Sequence, residues 1–171
     1  MLDREEKAEA VMTEYQQRVE ELQSVIQAEY SQPPTVSVIR IYPDGISLYL
    51  RDSFPGTVLA DVGLPRPPSQ DVSATEAEKI ANNPIQKLIS RELIAEADGD
   101  IIFIWTGENI VEEKQEAQKQ LTRLQADPLW QRLDAVKNGR VYEVPSYWIG
   151  SSAIAANLII DDLFQYLIEE E

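Results

Sequence analysis

The chain has 171 residues, 43% of them apolar, which suits one domain with a packed core and excludes a disordered segment. Fifteen Lys plus Arg against 30 Asp plus Glu give a net charge of −15, which excludes nucleic acid and anionic membrane as main partners. There is no cysteine and no histidine, which excludes disulfides, thiol nucleophiles, thiolate zinc sites, histidine bases and histidine-ligated haem.

Leu2 to Ala10 is too charged for a signal-peptide core, and no apolar run is long enough to span a bilayer. From Asp3 to about Tyr30, Val11, Tyr15, Val19, Leu22, Ile26 and Tyr30 recur at helical spacing. Such a helix spans roughly 42 Å and is too mixed for a heptad seam, so it reads as a strut rather than a coiled-coil arm. Pro33-Pro34 ends it. Thr35 to Tyr42 is a β-branched strand, Pro43-Asp44-Gly45 a turn, and Ile46 to Leu50 a second strand, together a hairpin. Arg40 interrupts the first strand near its carboxyl end. It reads either as a paired surface cation covering the sheet with its stem or as a cation aimed at an anionic ligand, and Arg51 has the same two readings.

Ser53 caps a helix that carries Val58, Leu59 and Val62 inward and stops at Gly63. Leu64 to Ala74 is a proline-rich loop without a core pattern. Pro84 to Ala97 reads as a second helical stretch. It leads through Asp98-Gly99-Asp100 into Ile101–Trp105, an apolar run that fits a parallel strand buried on both faces. Ile110 to Gln125 is a polar helix with Ala117, Leu121 and Leu124 as its inner stripe. Leu133 to Asn138 is a short helix stopped by Gly139, and Val141 to Val144 is a strand closed by Pro145. Tyr147, Trp148 and Gly150 follow. The last helix shows Ile154, Leu158, Ile159, Leu163 and Leu167 before three closing glutamates.

Trp105 and the Tyr147-Trp148 pair thus come directly after strands, where ligands of open α/β sheets are met. Each tryptophan reads either as core or as the wall of an aromatic crevice. No phosphate-binding glycine loop, nucleophile elbow or metal-ligand spacing is present, and Asp161-Asp162 and Glu112-Glu113 read as solvated carboxylates. Binding without catalysis, cofactor or protein-held metal is the expectation.

The segment PLWQRLDAVKNGRVYEVPSYW followed by glycine resembles the C-terminal end of periplasmic ferric-siderophore-binding proteins of the hydroxamate or ferrichrome type, the solute receptors of ABC importers. VSVIRIYPDGISLYLRDSFPGTVLADVGLPRP and ISRELIAEADGDIIFIW resemble earlier parts of the same lobe, so the likeness covers nearly the whole chain in order. It implies an α/β fold: a three-layer lobe with a mostly parallel central sheet flanked by helices. Residues 1–32 would be the long inter-lobe helix and residues 33–171 the C-terminal lobe, with the N-terminal lobe absent. Further implications are a ferric siderophore as transported ligand, an ABC permease as partner, a periplasmic location, and a homodimer as one fate of the isolated lobe. The resemblance assigns Trp148, Tyr147, Trp105, Arg40 and Arg51 to the ligand and Glu92 to permease docking. Cobalamin and haem, the latter with Tyr147 as ligand, stay open as cargo. A non-catalytic helical dimerisation module with core tryptophans stays open as a different class.

Overall fold

The computed structural model describes residues 2–107 and 111–168. Ile110, expected to open a helix, and the closing glutamates Glu169–Glu171 lie outside the described residues. A five-stranded sheet has the order β3-β2-β1-β4-β5, from β1 (Val36–Tyr42), β2 (Gly45–Tyr49), β3 (Gln86–Ile89), β4 (Ile101–Trp105) and β5 (Val141–Glu143). β1, β4 and β5 pair in parallel, while β2 runs antiparallel to both β1 and β3. Four strands therefore share one direction and β2 alone opposes them, the mostly parallel sheet and hairpin expected from the sequence.

The pleat separates two cores. Val36 and Val38, in register with Ile101 and Phe103, face α1 (Leu2–Glu29), α2 (Phe54–Asp61) and α6 (Ala153–Leu167). Ile39, Ile41, Ile102 and Ile104 face the other way, against α3 (Ala74–Ala81), α4 (Val111–Gln125) and the turn that carries Trp130. Each such side chain contributes about 1.5–3 kcal/mol by burial, so a slip of one residue in any central strand would forfeit several of them at once. The result is a three-layer α/β fold.

Local signals hold at the element ends. The Ser53 side chain accepts from Gly56 N at the start of α2, and Gly63 (φ +79) follows its end. Gly139 (φ +69) follows α5 (Asp134–Lys137). α1 buries Leu22 and Ile26, and Arg18 pairs with Asp161 of α6. Tyr15 donates to Asp61 at 2.7 Å, and Tyr30 donates to the Leu167 carbonyl at 2.8 Å. No side chain from residue 6 to residue 21 is fully buried, so the helix is fixed to the body mainly through its second half.

Two expectations are corrected. Pro84 to Ala97 is not a helix. The helix lies earlier, at α3, where Ser73 and Glu76 form a reciprocal capping box and Asn82 ends it in the left-handed region (φ 52). The segment then supplies the edge strand β3 and a 3-10 stretch, Arg91–Ala97. The loop Leu64 to Ala74 is also no bare surface connection, because Leu64, Arg66 and Gln70 are buried. Where β1 runs on past its pairing with β2, Gln70 takes the place of a strand: its Oε1 accepts from Val38 N at 3.0 Å and its Nε2 donates to Ser37 Oγ at 2.6 Å. Arg66 donates to the same Gln70 oxygen and, at 2.5 Å, to the Tyr49 carbonyl. Burial pushes the Arg66 guanidinium down to about 9, so it stays charged at neutral pH.

Candidate functional site

β1, β4 and β5 deliver their carboxyl ends to one edge of the sheet, where the hairpin turn before β2 also lies. Register places Arg40 directly beside Trp105 on the face that carries Val38 and Phe103. The Arg40 guanidinium carbon sits 3.9 Å from the Trp105 ring centroid and 4.0 Å from that of Tyr42, a cation held by two aromatic rings. Arg40 Nη1 also donates to Tyr42 Oη at 2.9 Å, and Tyr42 Oη reaches Gln86 Oε1 at 3.3 Å. Tyr49 joins the group through hydrogen bonds with Arg40 and Tyr42. Its hydroxyl pKa is raised by burial first and by Tyr42 next, with Arg40 opposing. A guanidinium held between two rings keeps a fixed position at the strand-end edge.

Trp105 is 6% exposed, and the backbone of Gly107 packs on its indole: a Cβ at Gly107 would lie 2.2 Å from Nε1. Beside it, between the ends of β4 and β5 and the start of α4, is a hollow of about 510 Å³ lined by Trp105, Thr106, Lys114, Glu143 and Ser146 among others. Thr106 Oγ1 donates to Gln118 Oε1 at 3.1 Å, which ties its floor to α4.

The other sequence candidates fall elsewhere. Trp148 is 0% exposed, its ring 4.4 Å from that of Phe103. Its Nε1 donates to Asp162 Oδ2 at 2.7 Å, and Tyr147 Oη donates to the same oxygen at 2.7 Å. Trp148 thus offers no face at the surface, and of its two sequence readings this geometry matches the core one. Tyr147 is half-buried, and its hydroxyl pKa is raised by burial and by the Asp162 hydrogen bond. Of the Asp161-Asp162 pair, Asp161 is exposed as expected and pairs with Arg18 of α1, whereas Asp162 is half-buried and its carboxylate holds both aromatics, which corrects the solvated reading for that residue. Arg51 follows the end of β2, which runs opposite to its neighbours, so it lies at the far edge of the sheet from Trp105. There Nη1 pairs with Asp71 at 3.1 Å. The structure brings Arg40 and Trp105 together and leaves Arg51 out.

Glu92 is exposed on the 3-10 stretch, at a hollow of about 440 Å³ that Arg91, Arg123 and Asp44 also line. Hydrogen bonds from its own backbone N–H and from Ser90 hold its carboxyl below the usual range. Sequence reasoning missed Tyr42 and Gln86 at the strand edge and, away from it, the role of Asp162. Tyr42 was readable, since a period of two puts it on the face of Arg40. Gln86 was hidden inside a segment read as helix, and Asp162 has no local signal linking it to Tyr147 and Trp148.

A family described as periplasmic binding protein matches residues 1–148. The achromobactin-binding periplasmic protein of Dickeya dadantii (strain 3937) is 30% identical over 166 residues, covering 95% of this chain and 50% of that protein. Staphylococcus aureus SirA has a similar fold, with a TM-score of 0.82 at 24% identity over 99% of this chain and 62% of the SirA chain. The triscatecholate siderophore binding protein FeuA of Bacillus subtilis, complexed with ferri-bacillibactin, gives 0.77 at 25% identity over 97% of this chain and 55% of its own. The chain spans half or less of the length of the curated relatives it matches.

Proposed function

The chain belongs to the periplasmic binding protein family, and from that premise we propose that it forms one ligand-facing lobe of a ferric-siderophore receptor serving an ABC importer. The observation that carries this reading is the Arg40 guanidinium between the Tyr42 and Trp105 rings at the strand-end edge. A ferric siderophore is a large, partly apolar chelate whose iron is already fully coordinated, so a receptor grips it with aromatic faces and orients it with a few cations. The names of two relatives, one achromobactin-binding and one complexed with ferri-bacillibactin, support that ligand class. In this reading α1 is the strut to a second lobe that closes the site, the free chain binds weakly, and the work is done in the periplasm. Among the described residues no helix is long and apolar enough to cross a membrane. Glu92, exposed on its 3-10 stretch, is the residue that docks on the permease.

Tryptophan fluorescence during titration with ferric citrate, a ferric hydroxamate and a ferric catecholate up to millimolar levels tests the proposal, with cobalamin and haem as comparisons. Saturable quenching by a ferric siderophore, weakened about tenfold or more in Arg40→Ala by loss of a charge-assisted contact, is expected. No saturable change with any ferric chelate would sink it.

A further inference from the structure

We propose that the free edge of the sheet at β3 is a dimerisation surface, on which a second copy of this chain lays its own β3 antiparallel across a two-fold axis. This pairing draws on the backbone of β3 and does not depend on the siderophore reading. Leu50 N donates to Ile85 O at 2.9 Å, and the register with β2 carries that phase along the strand. Ile85, Lys87 and Ile89 therefore turn their backbone groups toward β2, while Gln86, Leu88 and Ser90 turn theirs outward. Two of the outward groups are already used: Gln86 N donates to Asn83 Oδ1 at 3.2 Å, and Ser90 O accepts from Leu93 N at 3.0 Å. The Gln86 carbonyl, both groups of Leu88 and the Ser90 N–H remain for a further strand.

That remainder is self-complementary. With Leu88 opposite the partner's Leu88 on the two-fold, the two leucines exchange both bonds, and each Gln86 stands opposite the partner's Ser90. The Gln86 carbonyl then accepts from the N–H of the partner's Ser90. The bond that would join Gln86 N to the carbonyl of the partner's Ser90 is the one whose donor and acceptor are both already used, so every free group meets a free one. An unrelated extended peptide would instead turn one carbonyl to the used Gln86 N–H and one N–H to the used Ser90 carbonyl. Leu88 is 69% exposed, and the partner's Leu88 falls beside it on the same face. Leu88 and the exposed Ile80 line a hollow of about 250 Å³ between the end of α3 and β3, a seat for the partner's apolar side chains. From Ile80 to Arg91 there is no carboxylate, and the two cations, Lys87 and Arg91, pair with Glu96 and Asp127. In a chain of net charge −15, two copies can approach along this near-neutral edge. Because the copies run antiparallel, the carboxyl ends of β1 and β4 point opposite ways in the pair and both stay open.

Sedimentation equilibrium and amide hydrogen exchange of the intact chain, from about 10 μM to about 1 mM, test this. A monomer–dimer equilibrium is expected, tighter at high salt because screening weakens the repulsion between the acidic copies. The Leu88 and Ser90 amides should gain protection with concentration, and the Gln86 amide should not. Leu88→Pro removes an N–H that points away from β2, a change an edge strand tolerates, and should weaken association roughly tenfold or more. Leu88→Lys should do the same if the proline variant does not fold. Leu158→Lys, on the exposed face of α6, should leave the dimer unchanged. A chain that stays monomeric at the highest concentration overturns the inference, as does a dimer abolished by Leu158→Lys and not by Leu88→Lys, or one that leaves Leu88 and Ser90 unprotected.

Discussion

Replacing Asp162 with alanine asks whether Trp148 belongs to the core or to a ligand. One Asp162 oxygen accepts from the Trp148 indole and from the Tyr147 hydroxyl, both at 2.7 Å. Alanine leaves the indole N–H of a side chain that is 0% exposed without an acceptor, while the half-buried Tyr147 hydroxyl can turn to water. An unsatisfied buried donor costs about 1–3 kcal/mol and a lost, water-replaceable bond about 0.5–1.5 kcal/mol, so Asp162→Ala should cost about 2–4 kcal/mol. At about 2–4 °C per kcal/mol for a chain of this size, that is a fall in Tm of roughly 4–16 °C. Urea unfolding of Asp162→Ala, Trp148→Phe and the double variant gives the coupling, expected at about 1 kcal/mol or more. A loss below about 0.5 kcal/mol with no coupling to Trp148→Phe would refute the reasoning and reopen Trp148 as a surface aromatic.

Gln70→Ala leaves Val38 N, Ser37 and Arg66 without their shared partner, and chemical denaturation should show a loss of about 2–4 kcal/mol; a change within about 0.5 kcal/mol would mean the loop is not fixed there. Gly107→Ala puts a Cβ 2.2 Å from Trp105 Nε1, so the indole must move; near-UV circular dichroism should change, and an unaltered spectrum contradicts the close packing. The Glu76 carboxyl is held below its ordinary pKa by its hydrogen bonds with Ser73. With the folded value depressed, its stabilisation of α3 is full above the unfolded pKa and is lost as pH falls through the folded one. A carbon-detected NMR titration placing Glu76 at or above the ordinary carboxylate value would count against the capping box.

Much of the fold was legible because its signals are local. Pro43-Asp44-Gly45 turns the hairpin, Ile101–Trp105 has the unbroken apolar run of a doubly covered strand, and Gly63 and Gly139 take the positive φ values that stop their helices. β3 was not legible: four residues are too few to show alternation, and Leu88 on this edge is 69% exposed. Ser73 and Glu76 did carry a readable capping signature, masked by the prolines before it. Within the site, Arg40 and Trp105 could each be placed at a strand end. That they touch follows from register between β1 and β4, which no local pattern encodes. The burial of Trp148 likewise depends on α6 folding back so that Asp162 meets it, a tertiary fact that overrides the surface position implied by a loop after a strand.

The strand-end edge around Arg40 is where we propose that a ferric siderophore is received. Side-chain NMR with gallium(III) complexes, diamagnetic stand-ins for iron(III), tests it most directly. Saturable shifts are expected at the Trp105 indole, the Arg40 guanidinium and Tyr42, with the Trp148 indole changing least. Shifts absent from Arg40 and Trp105, or centred at the Arg51 end of the sheet, would contradict it.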